Sequence, residues 1–105
     1  MSNVFRSNKL KYSLKDRLNS IDIIRVVGCH NSLGAKIAEN TGFDAAWFSG
    51  FEFATTNCLP DANILTMTEN LYAISAITRT INIPLIVDCD LGYGDLNNVI
   101  HMVRE

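Results

Sequence analysis

The 105-residue sequence predicts a parallel α/β fold preceded by a short helix, and three observations carry that prediction. Residues 21–29 (IDIIRVVGC), 45–49 (AAWFS) and 85–90 (LIVDCD) are short apolar runs, too continuous for strands with one face in water. Segments with helical spacing lie between and after them. Strand and helix patterns therefore alternate, as they do in a parallel sheet whose connections are helices.

The first twenty residues set Arg6, Lys9, Lys11, Lys15 and Arg17 against Asp16 alone, while the remainder is acidic. A basic, Ser-containing start fits an organelle transit peptide. Ser13 three residues before Asp16, with Leu14 and Leu18 one turn apart, favours a short capped helix packed on the body. Residues 1–20 are thus a basic helical segment, and 21–105 form the α/β unit.

Within that unit, residues 21–29 are the first strand. His30, Asn31 and Ser32 supply capping chemistry for a helix with Leu33, Ile37 and Ala38 on one face, which Gly42 ends. Residues 45–49 form the second strand, followed by an irregular stretch through Pro60 that is long for a βα connection and of the kind that carries function. Thr66 and Glu69 make a capping box before Met67, Leu71, Ile74, Ile77 and Ile81, an amphipathic helical repeat. Pro84 introduces the third strand, LGYGD is a turn, and Val99, Met102 and Val103 resume helical spacing. That last pattern reaches Arg104 and Glu105 with no Gly, Asn or Pro to stop it, so the chain reads as a piece of a longer fold.

Composition removes several function classes. With 48% hydrophobic and 19% charged residues the chain is not disordered, and it has no run of ~20 apolar residues to span a membrane. A net charge of −2 supplies no field for nucleic acid or an anionic membrane. Cys29, Cys58 and Cys89 are odd in number and lack C-x-x-C spacing, which fits buried thiols in a reducing, cytoplasmic compartment.

Reactive groups of parallel α/β folds gather at the carboxyl ends of the strands, here residues 30–31, 47–61 and 88–98. Asp88 and Asp90, two apart at a strand end, project to one side and call for a cation. Hard oxygen donors suit Mg2+ or Mn2+ rather than zinc, although Asp before Gly is also a common turn former. Asp61 either completes an acidic cluster or favours the turn into the next helix, and His30 either binds substrate or caps. Ser49-Gly50-Phe51 presents a hydroxyl and two amides to an anion, or merely ends a strand. Gly92-Tyr93-Gly94 is not a dinucleotide fingerprint: Asn97 replaces the third Gly and Asp95 would repel a pyrophosphate, so a tight turn with positive φ accounts for both glycines. His101 lies on an outer helix, at the surface or in packing.

At these residues the sequence resembles the phosphoenolpyruvate mutase branch of the isocitrate lyase superfamily. Four segments carry the resemblance: VVGCHNSLGAKIAENTGFDAAWFSGFE (26–52), LPDANILTMTE (59–69), IPLIVDCDLGYG (83–94) and NNVIHMVR (97–104). It implies about three βα units of a (β/α)8 TIM barrel, a fold of ~250 residues, so that residues 21–105 stop before the barrel closes. It also implies Mg2+-dependent interconversion of phosphoenolpyruvate and phosphonopyruvate, with phosphonopyruvate hydrolysis or carbon–carbon lysis as alternatives. By that analogy Asp88 binds the metal directly, and Asp90 and Asp61 hold it through water. Ser49 would contact the phosphoryl group, the Gly50 and Phe51 amides the substrate carboxylate, and Trp47 the pocket wall. Leu91 departs from the family's usual Thr, losing a hydroxyl near the carboxylates, and Asp95 adds negative charge where a neutral residue is usual. The family's gating loop and later Arg and His have no counterparts here, so the chain alone is expected to be inactive and the complete protein a homo-oligomer. A different class of reading makes the chain a non-catalytic partial barrel that pairs its open edges with another chain.

Overall fold

The computed structural model describes residues 10–105. Arg6 and Lys9 of the basic segment lie outside these residues. The order is α1 (Leu14–Ser20), β1 (Val26–Cys29), α2 (Ser32–Thr41), β2 (Ala45–Phe48), α3 (Gly50–Thr56), α4 (Met67–Thr78), β3 (Leu85–Val87) and α5 (Leu96–Arg104). The strands form one parallel sheet, β1-β2-β3, in which Gly28 pairs with Trp47 and Trp47 with Ile86.

Short-range capping starts most helices where the sequence places them. Ser13 Oγ accepts from Asp16 N–H, Asn31 Oδ1 from Gly34 N–H and Thr66 Oγ1 from Glu69 N–H, while Gly42 ends α2 in the left-handed region at φ 98°. Asp95 is more than an added charge. It caps α5 in a complete capping box with Asn98, and Gly92 (φ 89°) and Gly94 (φ 147°) make the expected turn before it.

Several expectations need correction. Only residues 26–29 of the first apolar run form strand, because Ile21 N–H caps α1 and Arg25 N–H is taken by the Asp44 carboxylate. The expected inner face of α2 holds at Ala38 but not at Leu33 and Ile37, which are exposed; Ala35 is buried beside Ala38, since small side chains let the helix approach β1 and β2 closely. The stretch after β2 is not irregular throughout but begins with α3, capped by Ser49 through Glu52 N–H.

The core lies between the sheet and its helices, where Cys29, Ala35, Ala46, Phe48, Ile77, Ile81 and Ile83 pack together. Strand alternation puts Cys29 and Phe48 there and sends Val26, Gly28 and Trp47 to the opposite face, where Val26 is 38% and Trp47 41% exposed. The sheet therefore has one open face, contrary to the expectation of strands covered on both. Cys58 is also exposed, unlike the buried thiol expected, and all three cysteines are free.

Segment α1 buries no residue of its own and is held chiefly by polar contacts, with the Tyr12 ring before it packed against the core. Arg17 donates to Asp44 Oδ1 from Nε at 3.0 Å and Nη2 at 2.7 Å, and Tyr12 Oη donates to the Asp44 carbonyl at 2.7 Å. The Arg25 N–H first, then the Arg17 guanidinium, hold the Asp44 carboxyl below the usual carboxylate range. A folded value below the unfolded one gives stability that is present above the unfolded pKa and is lost as pH falls through the folded value. Asp44→Asn is therefore expected to flatten the loss of urea resistance between about pH 6 and about pH 3. An unchanged slope would show that the acid sensitivity resides elsewhere.

Candidate active site

The carboxyl ends of all three strands meet at the first turn of α3. Ser49 N–H donates to the Cys29 carbonyl at 3.1 Å and Asp88 N–H to the Phe48 carbonyl at 3.1 Å, so the segments that follow each strand start from one level. Ser49 Oγ accepts the Glu52 N–H at 3.2 Å, and its own O–H remains a donor. Gly50 and Phe51 begin the helix, where amide N–H groups have no intrahelical acceptor.

Asp88 and Asp90 converge on Gly50. A Cβ at Gly50 would lie 3.0 Å from Asp90 Oδ1 and 3.2 Å from Asp88 Oδ2, so a side chain there would crowd both carboxylates. Their approach does not come from strand alternation as the sequence suggested. Asp90 leaves the strand at φ 46° and donates its N–H to Asp88 Oδ1 at 3.0 Å, a local turn that folds one carboxylate back towards the other. Burial first, then the charges of Asp88 and Asp61, raise the Asp90 pKa. Asp61 is exposed and lines a narrow cleft with Gly50 and Asp90.

A cavity of about 460 Å³ opens beside Asp90, lined also by Asn63, Thr66, Met67, Leu91 and Tyr93. Asn63 (φ 59°), Asp90 and Tyr93 (φ 63°) all hold left-handed backbone here, a conformation that costs energy for residues other than glycine and collects at functional sites. Trp47 stands on the open face at the level of Gly28 and Ile86. Phe51 is 62% exposed. His30 and Glu52 form a pair that the sequence does not single out, with His30 Nδ1 at 3.3 Å from Glu52 Oε1. His101 is exposed at the far end of α5, as expected.

Among the described residues no group of three or more His, Cys, Asp or Glu side chains is assembled to hold a metal ion. The donor set still fits Mg2+, which takes one or two carboxylates and keeps several waters. Two carboxylates sharing a cradle that a Cβ would fill meet that requirement, and Asp61 lines the cleft beside Gly50 and Asp90.

The sequence matches the phosphoenolpyruvate phosphomutase family over residues 14–105. The chain belongs to that family. A phosphoenolpyruvate phosphomutase from Streptomyces platensis subsp. rosaceus superimposes with a TM-score of 0.83 at 46% identity, over 87% of this chain and 32% of that one. A phosphonopyruvate hydrolase from Variovorax sp. (strain Pal2) is 43% identical over 89% of this chain and 32% of its own. A crystal structure of phosphonopyruvate hydrolase in complex with oxalate and Mg2+ matches with a TM-score of 0.74 at 44% identity, over 77% of this chain and 29% of that one. A 2-methylisocitrate lyase from Aeropyrum pernix is 36% identical over 88% of this chain and 30% of its own, and a 2,3-dimethylmalate lyase of the PEP mutase/isocitrate lyase superfamily matches in structure with a TM-score of 0.74 at 28% identity, over 87% of this chain and 33% of that one. The chain spans about a third of the length of the curated relatives it matches. The phosphomutase family therefore accounts for the fold, the N-terminal βα units of its barrel.

Proposed function

We propose that this chain supplies the metal and substrate-positioning part of a Mg2+-dependent phosphoenolpyruvate phosphomutase, which interconverts phosphoenolpyruvate and phosphonopyruvate by intramolecular phosphoryl transfer. The carrying observation is the convergence of Asp88 and Asp90 on Gly50, in a chain 46% identical to a phosphomutase of solved structure. Asp88 would hold Mg2+, or Mn2+ in its place, directly, and Asp90 and Asp61 through water. The ion would neutralise charge on the phosphoryl group and on the enolate oxygen. Ser49 O–H donates to the phosphoryl oxygens, the Gly50 and Phe51 amides bind the substrate carboxylate, and Trp47 excludes water from one side. Under this reading the complete enzyme is cytoplasmic and homo-oligomeric.

Grafting residues 14–105 in place of the matching third of the Streptomyces phosphomutase tests the proposal. Phosphorus NMR should show phosphonopyruvate converted to phosphoenolpyruvate, with turnover lost in Asp88→Ala. Free phosphate in place of phosphoenolpyruvate would replace the mutase by a hydrolase, and a silent but folded chimera would overturn both. The 105-residue chain by itself is expected to show no turnover, because each charge-stabilising donor missing from a site costs ~10²–10³ in rate.

A further inference from the structure

The open face of the sheet carries a second pair of titratable groups, on the far side of β2 from Asp88 and Asp90. Glu52 reaches back from the first turn of α3 to β1, and its Oε2 fills the space that a Cβ on Gly28 would occupy. Its Oε1 holds His30 Nδ1 at 3.3 Å, and the side chains of His30 and Glu52 are 33% and 35% exposed. Neither side chain is needed to close a helix end, since Asn31 caps α2 and Ser49 caps α3. A half-exposed pair contributes little to stability. Its position at the strand ends, beside Trp47 and over a residue with no side chain, is that of a ligand-binding group.

The chemistry of the pair is also complementary to the other side of the site. Two carboxylates at the end of β3 serve a cation, whereas a substrate carrying both a carboxylate and a phosphonate needs donors at its other end. A carboxylate that accepts the Nδ1–H orients the imidazole ring, and the imidazolium form then offers an Nε2–H to a bound oxyanion. Cys29, the other titratable group beside Glu52, is pushed up to about 11, by burial first and then by the Glu52 charge, so it stays a neutral thiol. We propose that His30, held by Glu52, is an oxyanion-binding residue of this site, with Nε2 donating to the end of a carboxylate- and phosphonate-bearing substrate remote from Asp88. This deepens the reading above and rests on it for the identity of the substrate.

The chain has two histidines, so His101 serves as an internal control. With 15N-labelled histidine, the imidazole shifts should report His30 protonated at Nδ1. The isosteric Glu52→Gln should change the His30 ring-nitrogen shifts and leave those of His101 unchanged. Phosphonopyruvate with Mg2+ should move His30 Nε2, and His30→Gln should weaken phosphonopyruvate about tenfold while Mg2+ affinity stays constant. Equal phosphonopyruvate affinity in His30→Gln, or unchanged His30 shifts in folded Glu52→Gln, overturns the proposal. If the wild-type chain does not bind phosphonopyruvate, the substrate reading fails. Titration with inorganic phosphate then decides the pair: a moving His30 Nε2 sustains it, and a stationary one overturns it.

Discussion

Asp88→Ala is expected to abolish Mn2+ and Mg2+ binding, whereas Asp90→Ala and Asp61→Ala weaken it by about 10–100-fold, the range for residues that act through another ligand or a water. The order follows from how each carboxylate is held. Asp88 continues β3 with its N–H on the Phe48 carbonyl, so the sheet itself fixes its backbone. Asp90 sits one turn further, on left-handed backbone, and depends on Asp88 Oδ1 to accept its N–H. Asp61 is exposed on a loop and shares the cleft beside Gly50 with Asp90. Electron paramagnetic resonance of Mn2+ during titration reads free and bound ion directly. Unchanged affinity in Asp88→Ala would remove it from the site, and equal losses in all three variants would replace the single direct ligand by a shared cluster.

How much of this was legible in the sequence depends on the range of the interaction. Ser13, Asn31 and Thr66 cap through contacts three residues long, and Gly42 ends α2 by its own conformation, so these boundaries can be read locally. Ser49 and Glu52 carry the same spacing, and that signal would have revealed α3; the glycine between them and the run to Pro60 masked it. Periodicity is right at Ala38 and misleads at Leu33 and Ile37, because close packing on the sheet selects small residues, Ala35 with Ala38. Asp88 and Asp90 were recognisable as a pair, but their meeting at Gly50 depends on a turn and on the neighbouring strand. His30 is a candidate by its place at a strand end, but Glu52 is twenty-two residues away and meets it only because β1 and β2 pair in parallel, so no local pattern announces the pair.

Phe48 and Trp47 are adjacent in β2 and should respond oppositely to truncation. Phe48 is fully buried, with its ring 5.3 Å from that of Phe53, among the residues that join the sheet to α2 and α4. Its replacement by Ala removes the ring from that packed cluster and leaves a cavity, at a cost of about 3–5 kcal/mol. A domain has only about 5–15 kcal/mol in total, so Phe48→Ala should lose much of its cooperative unfolding transition. Trp47 is 41% exposed on the open face, where water already covers part of the ring, and Trp47→Ala should cost no more than about 1–2 kcal/mol. Binding reverses the ranking. Trp47→Ala, still folded, should bind phosphonopyruvate more weakly, because the ring shares its face with Gly28, over which the Glu52 carboxylate lies. Urea unfolding followed by circular dichroism, alongside phosphonopyruvate titration of Trp47→Ala, separates the two effects. Similar unfolding midpoints for the two variants would mean that β2 does not divide a packed face from an open one, and the placement of the site on that open face would fall with it.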